Sequence, residues 1–336
     1  MTPFPGIDLH THVVPDWMPS YSGHHSESLW PSVHPSTCGH RHIHIGGSRY
    51  RTVSIAAWDI QQRLADMDGM RIGRQILSPM PELLSYWFNA DDALDFARHM
   101  NGYIAEMVVQ ANGRMAGLGM VPLQDPALAA RELERLRDAG LTGVEIGTNV
   151  NGKPIGDPAF EPFFAAAEAL EMPIFVHAIR PAGMDRLVGP KGLEQVVAFP
   201  GETGLSIASM ITGGTLERHP GLRLAFSHGG GSFGLMLPRL NHIWSISSGL
   251  SDKINRSPLE LARKLFYDSL VYDEKALGYL IALFGPRQII LGTDYPFSIY
   301  DRDPLARLDR LDLTIGTRAD ILYANALRFL NMPAWL

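Results

Sequence analysis

Asp8-Leu9-His10-Thr11-His12 sets two imidazoles two residues apart. On a strand, alternate side chains leave from the same face, so His10 and His12 would converge on one point. Neutral imidazole is a ligand for zinc, and also for manganese, iron or cobalt. Two packed or surface histidines would read the same way, so the pair alone decides nothing. Three other positions add weight. An apolar run at 173–176 ends at His177, a strand-like run at 222–227 is followed by His228, and 289–293 leads into Asp294. Histidines and one carboxylate at the ends of separate strands form the donor set of a divalent metal site.

Other chemistry-bearing residues are less specific. Gly229-Gly230-Gly231 follows His228, either as a tight strand-to-helix turn or as a close backbone approach to the site. It lacks the Lys-Ser/Thr ending of a phosphate loop. Six of the thirteen histidines lie between His24 and His44. His40, His42 and His44 alternate beside Cys38, and a second zinc site is conceivable there. Their spacing fits no zinc-finger pattern, and an exposed lid hairpin is the reading taken. Trp58, Trp87 and Trp244 read as packing residues, whereas Phe297, three residues after Asp294, is expected in the pocket.

These side chains need a scaffold that brings distant strand ends together. Short apolar runs at 7–12, 74–77, 117–121, 143–146, 173–177, 222–227, 265–268 and 288–292 alternate with helical patterns. The helices are expected at 60–70, 90–111, 126–139, 158–170, 203–218, 232–246, 274–284 and 317–330. Asp125-Pro126 and Asp157-Pro158 each put an N-cap before a proline at the first helical position. Eight strands alternating with eight helices predict an α/β fold, a (β/α)8 TIM barrel with its site at the C-terminal mouth. An open doubly wound sheet is the alternative, but no G-x-G-x-x-G follows the first strand. The chain 1–336 reads as one domain, with 13–57 as a lid-like insertion after the first strand.

The 336 residues carry 46% apolar and 19% charged side chains, with 29 Lys and Arg against 35 Asp and Glu. That composition suits a globular protein and excludes collagen-like or disordered chains. No basic block suggests a nucleic-acid partner, and no apolar run is long enough for a membrane helix. The start of the chain lacks the pattern of a secretory signal, and a single cysteine makes no internal disulfide, so a cytoplasmic location is expected.

The segments DLHTH (8–12), VPLQD (121–125), FVH (175–177), SHGGGSF (227–233), YDS (267–269) and GTDYPF (292–297) resemble the amidohydrolase superfamily. The resemblance is to its amidohydrolase-2 branch and, within that, to the aminocarboxymuconate-semialdehyde decarboxylases. It covers almost the whole chain. It implies one zinc held by His10, His12, His177 and Asp294, with His228 and Asp294 as catalytic groups. It also implies hydroxide addition beside a carboxylate, protonation of the adjacent carbon and loss of carbon dioxide. Position 145 on the fourth strand is Glu rather than a carboxylated lysine, which favours a single metal.

Substrate-binding arginines carry over at Arg51 and Arg239, the latter supplied across a homodimer interface. A third family arginine falls on Ser247, which brings no charge. Arg180, just past His177, is a candidate replacement. The expected activity is decarboxylation of a small unsaturated or aromatic acid, with a small carboxylate as partner. The alternatives are an ortho-hydroxy or ortho-amino aromatic acid, and hydrolysis of a lactone, amide or vinylogous diketone. A non-catalytic barrel is disfavoured because every ligand position is filled.

Overall fold

The computed structural model of the chain describes residues 6–23, 30–333 and 335. Eight parallel strands lie side by side in sequence order. They are β1 (Gly6–Val13), β2 (Ile72–Pro79), β3 (Met115–Gly119), β4 (Gly143–Gly147), β5 (Ile174–His177), β6 (Leu224–Phe226), β7 (Phe266–Asp268) and β8 (Ile289–Ile290). The first and last meet. Leu9 N–H donates to Leu291 O at 2.9 Å, Asp294 N–H to His10 O at 2.8 Å, and His12 N–H to Tyr295 O at 2.7 Å. The predicted (β/α)8 barrel is the fold, and its edges are removed by closure.

Helices α1 (Ile60–Gly69), α2 (Ala90–Gln110), α3 (Pro126–Asp138), α4 (Glu161–Ala169), α5 (Phe199–Thr212), α6 (Phe233–Ile246), α7 (Glu274–Phe284) and α8 (Asn325–Leu330) surround it. Asp125 caps α3 as expected, accepting from Leu128 N–H at 2.9 Å. Asp157 accepts from Ala159 N–H, but the turn it caps is a 3-10 turn ahead of α4.

Among the boundaries that differ from the sequence expectation, two have a plain local cause. The helix expected at 203–218 begins at Phe199 and breaks at Gly213-Gly214, where Gly214 has φ 76°. Strand β3 stops two residues early because Asn101 takes over the next peptide. Its amide bonds both the N–H and the C=O of Met120, at 2.8 and 2.9 Å.

The segment after β1 forms a three-stranded antiparallel sheet from Ser32–Pro35, Arg41–Ile45 and Ser48–Val53. His24 and His25 lie outside the described residues. Among the described residues, no helix is long and apolar enough to cross a membrane.

Strand β1 explains how one strand serves both core and mouth. Asp8 pairs with Gln75, but Thr11 pairs with Leu77, so three steps on β1 oppose two on β2. Such a bulge re-aims side chains. Ile7 and Leu9 pack in the barrel interior with Ile76, Leu118, Phe175 and Ile290, over Phe329 and Leu330 of α8. Beyond the slip, His10 and His12 turn to the same side, and the His10 ring meets Phe175 at 5.1 Å. Asp8 instead faces the neighbouring strand, accepting from the Thr293 hydroxyl at 2.6 Å and from Thr293 N–H at 3.1 Å.

Candidate metal centre

His10 and His12 from β1, His177 at the end of β5 and Asp294 beyond β8 place one donor atom each within 4.8 Å of one another. All four residues are buried. The hydrogen bonds behind the rings fix which nitrogen faces the centre. His12 Nδ1 donates to the Pro79 carbonyl at 3.0 Å and His177 Nδ1 to the Ala178 carbonyl at 2.8 Å. His10 Nδ1 donates to Asp268 Oδ2 at 2.6 Å. Carbonyl and carboxylate oxygens only accept, so each Nδ1 is the donor and each Nε2 carries a lone pair inward.

The centre therefore gathers acceptors. His10 Nε2 and His12 Nε2 lie 3.0 Å apart, and Asp294 Oδ1 is 3.5 and 3.2 Å from them. His177 Nε2 and Asp294 Oδ1 are buried without a hydrogen-bond donor. Lone pairs aimed at one another at these distances call for positive charge among them, a metal ion or a proton on His10 Nε2. Three imidazoles and a carboxylate suit a divalent metal with a position left open.

Burial pushes His12 down to about 4 and His177 well below the usual range, keeping both rings neutral and ligand-ready. Burial also opposes charge on His10, but the hydrogen bond and charge of Asp268 outweigh it and raise the ring to about 9. For Asp294, burial pushes the carboxyl up, while the neighbouring His12 and His10 hold it below the usual range.

Two site residues carry backbone strain. Asp294 has φ 67° and His228 φ 55°, both left-handed conformations that cost a residue bearing a Cβ. His228 stands beside the ligands, its ring 5.0 Å from that of His177 and 5.3 Å from that of His10. Its Nδ1 is buried without a partner, and burial lowers its pKa. The three glycines after it serve the turn: a Cβ at Gly231 would sit 2.1 Å from Pro200 O, and Gly229 and Gly230 have φ 61° and 77°. The close approach is thus to α5 and packed side chains rather than to the ligands.

Above the centre opens a cavity of about 420 Å3, floored by His177, His228 and Asp294. Its walls are largely apolar, with Met80, Phe199, Leu270 and Phe297, and the insertion contributes Tyr50 and Arg51. Phe297 stacks on His12 at 4.9 Å with rings 19° apart, and the Arg51 guanidinium lies 4.0 Å over Phe297. A cation and an aromatic face are thus stacked directly on a candidate ligand ring.

Arg180 does not line this cavity. It pairs with Glu82 at 3.1 Å and lies 3.4 Å over Trp87. Arg239 is exposed on α6, beside a separate groove with Phe233, Met236 and Ile243. Asp268 was missed as a site residue, although it ends β7 just as His177 ends β5. Among the described residues no second ligand cluster forms. His42 bonds the Thr52 hydroxyl, His40 bonds the Cys38 carbonyl, and His44 packs on His34. Trp58, Trp87 and Trp244 pack against the core as expected.

The family model described as amidohydrolase matches residues 7–332. A 2-amino-3-carboxymuconate-6-semialdehyde decarboxylase from Dictyostelium discoideum is 36% identical over 97% of this chain and 91% of its own. Among solved structures, the Metarhizium anisopliae IDCase superposes with a TM-score of 0.82 at 23% identity, covering 99% of this chain and 98% of that one. A 5-carboxyvanillate decarboxylase from Novosphingobium aromaticivorans, solved with manganese and 4-hydroxy-3-methoxy-5-nitrobenzoic acid, gives a TM-score of 0.73 at 25% identity. That match covers 82% of this chain and 81% of its own.

Proposed function

The chain belongs to the amidohydrolase family, and from that premise we propose a zinc-dependent decarboxylase of a small unsaturated or aromatic acid, similar in substrate to the 2-amino-3-carboxymuconate-6-semialdehyde decarboxylases. Its named relatives are decarboxylases, and the chain is a carboxy-lyase of the non-oxidative kind. The observation that carries the reading is the acceptor-only cradle at the floor of an apolar cavity, with a free imidazole beside it and a guanidinium in the wall.

His10, His12, His177 and Asp294 would hold a divalent ion, which would supply Lewis acidity and an activated water there. Arg51 binds and orients an anionic group of the substrate, its own plane fixed by the Phe297 ring. The apolar walls exclude water, which strengthens that pairing. His228 Nδ1 or Nε2 moves the proton. When the bond to the carboxylate breaks, its electron pair stays on the substrate carbon. His228, neutral in the resting site, takes up a proton from solvent and passes it to that carbon; the new C–H bond forms as carbon dioxide leaves, and the ring returns to its neutral form. Asp294 holds its lone pair at the centre and stays ionised.

An aromatic acid with an ortho hydroxyl or amino group is the second reading. Phe199, Phe297 and Tyr272 in the cavity favour a flat substrate. The test is a panel of both kinds, the aminocarboxymuconate semialdehyde and the ortho-hydroxy and ortho-amino aromatic acids, on zinc-loaded protein, following carbon dioxide and ultraviolet loss together. Stoichiometric carbon dioxide, abolished by chelation and restored by zinc, is expected. Water incorporation without carbon dioxide would replace the lyase by a hydrolase.

A homodimer with Arg239 shared across its interface completes the proposal. Leu235, Arg239, Ile243 and Ile246 recur at helical spacing along one exposed face of α6. An apolar stripe of that kind suits a self-complementary partner. Arg239→Ala and His228→Ala are each expected to be inactive. Mixed, they would regain about a quarter of the sites if subunits exchange freely and Arg239 crosses the twofold. No recovery in stable mixed dimers would place Arg239 elsewhere.

A further inference from the structure

One carboxylate in the cavity wall is unused by this chemistry. Glu82 lies on the 3-10 turn Pro81–Leu84 that follows β2, and it faces the same cavity as Arg51, His177 and Asp294. Its side chain keeps only 12% exposure. Arg180 Nε donates to Oε1 at 3.1 Å. Arg180 is itself fixed from behind, its guanidinium 3.4 Å over the Trp87 ring. No hydrogen bond from the described residues reaches Glu82 Oε2. The wall therefore offers one acceptor already held in place by an ion pair, and one acceptor without a donor.

That arrangement has a chemical consequence. A carboxylate in an apolar cavity attracts hydrogen-bond donors and repels other carboxylates, and the low dielectric magnifies both effects. Arg51, in the same cavity, has the opposite preference. The two charges define the polarity of an incoming acid. Its carboxylate goes to the side of Arg51 and the metal cradle, and a donor group goes to Glu82.

We propose that Glu82 is a specificity-determining residue, which accepts a hydrogen bond from a hydroxyl or amino group on the substrate and disfavours a second carboxylate at that wall. This rests on the reading of the site as a carboxylic-acid decarboxylase, and it names the substrate class within it: acids bearing a hydrogen-bond donor besides the scissile carboxylate. Arg180 acts through Glu82 by orienting it.

The experiment is calorimetric binding to the zinc-loaded full chain. The probes are the three hydroxybenzoate isomers, the matching methoxybenzoates, and the benzenedicarboxylates. At least one hydroxy isomer is expected to bind about tenfold more tightly than its methyl ether, because a methylated oxygen cannot donate. The isomer that does so reports where Glu82 sits relative to the carboxylate. Glu82→Leu is expected to bring that pair within about twofold and to tighten dicarboxylate binding. Glu82→Gln keeps the shape and an acceptor oxygen, so it should retain part of the hydroxyl preference while relieving the dicarboxylate repulsion. An unchanged ratio in Glu82→Leu, an equal loss for every probe, or the absence of any separated pair in the parent protein would each overturn the proposal. Carbon dioxide release is scored separately. A preserved binding pattern with no carbon dioxide from any acid of the substrate panel above would sink the decarboxylase reading and leave the role of Glu82 standing.

Discussion

His228→Ala is expected to keep its full complement of metal and to lose turnover by a factor of about 10² to 10⁴, the range of general acid–base catalysis. The metal should stay because the four ligand atoms come from His10, His12, His177 and Asp294, and none of their supporting hydrogen bonds involves the His228 ring. Turnover should fall because that ring is the neutral, unpartnered base at the cavity floor. The backbone cost is small. Position 228 is already strained at φ 55° with a Cβ in place, and alanine adds nothing to it. Metal per chain by mass spectrometry and kcat at saturating substrate separate the outcomes. Loss of the metal would make His228 a ligand, and an active metal-loaded variant would remove it from the chemistry.

The clustering of the candidate ligands was legible because barrel geometry maps the ends of strands onto one rim, while setting His228 apart from them came from the family resemblance. His177 and Asp294 end apolar runs, and the closing bonds around Leu9, His10 and Tyr295 bring them to β1. The bulge was not legible. Strict alternation would have put Ile7, Leu9 and His10 on mixed faces, and only the slip opposite Ile76 lets core and ligands share the interior. Arg63 was invisible for a different reason. An arginine on a helix normally reads as solvated surface, whereas this one is fully buried. Its guanidinium donates to the carbonyl of His12, to Ala56 O at 3.1 Å and to Gln75 Oε1 at 3.3 Å, and lies 4.9 Å over the Tyr295 ring. It ties the exit of the insertion to the strand that carries two ligands. Burial lowers it to about 10, so it stays charged at neutral pH without an ion-pair partner among the described residues. No local pattern encodes a contact set of that kind, because it joins backbone oxygens of Ala56 and His12, the Gln75 side chain and the Tyr295 ring from separate segments.

Asp268 carries the second large expectation. Oδ2 accepts from His10 Nδ1 at 2.6 Å and from His228 N–H at 2.9 Å. Oδ1 accepts from Gly229 N–H at 2.8 Å and from Leu270 N–H at 3.0 Å. One buried carboxylate thus sets the tautomer of a ligand ring and the turn that presents His228. Burial pushes its pKa up, but these partners, led by His10, hold it below the usual carboxylate range. Asp268→Asn preserves the volume and is nevertheless expected to fail, because an amide must place its NH2 group against donors on one side or the other. Facing His10, the NH2 would drive that ring to the other tautomer and turn an N–H toward the ligand centre. Metal affinity should then drop at least 10- to 100-fold, the usual loss when a ligand's outer hydrogen bond is removed. Facing Gly229 and Leu270, it would displace the turn instead, and the metal would be retained while turnover falls as in His228→Ala. Metal titration and kcat on the same preparation distinguish the two. A variant with unchanged metal affinity and unchanged kcat would show that the four hydrogen bonds are packing alone.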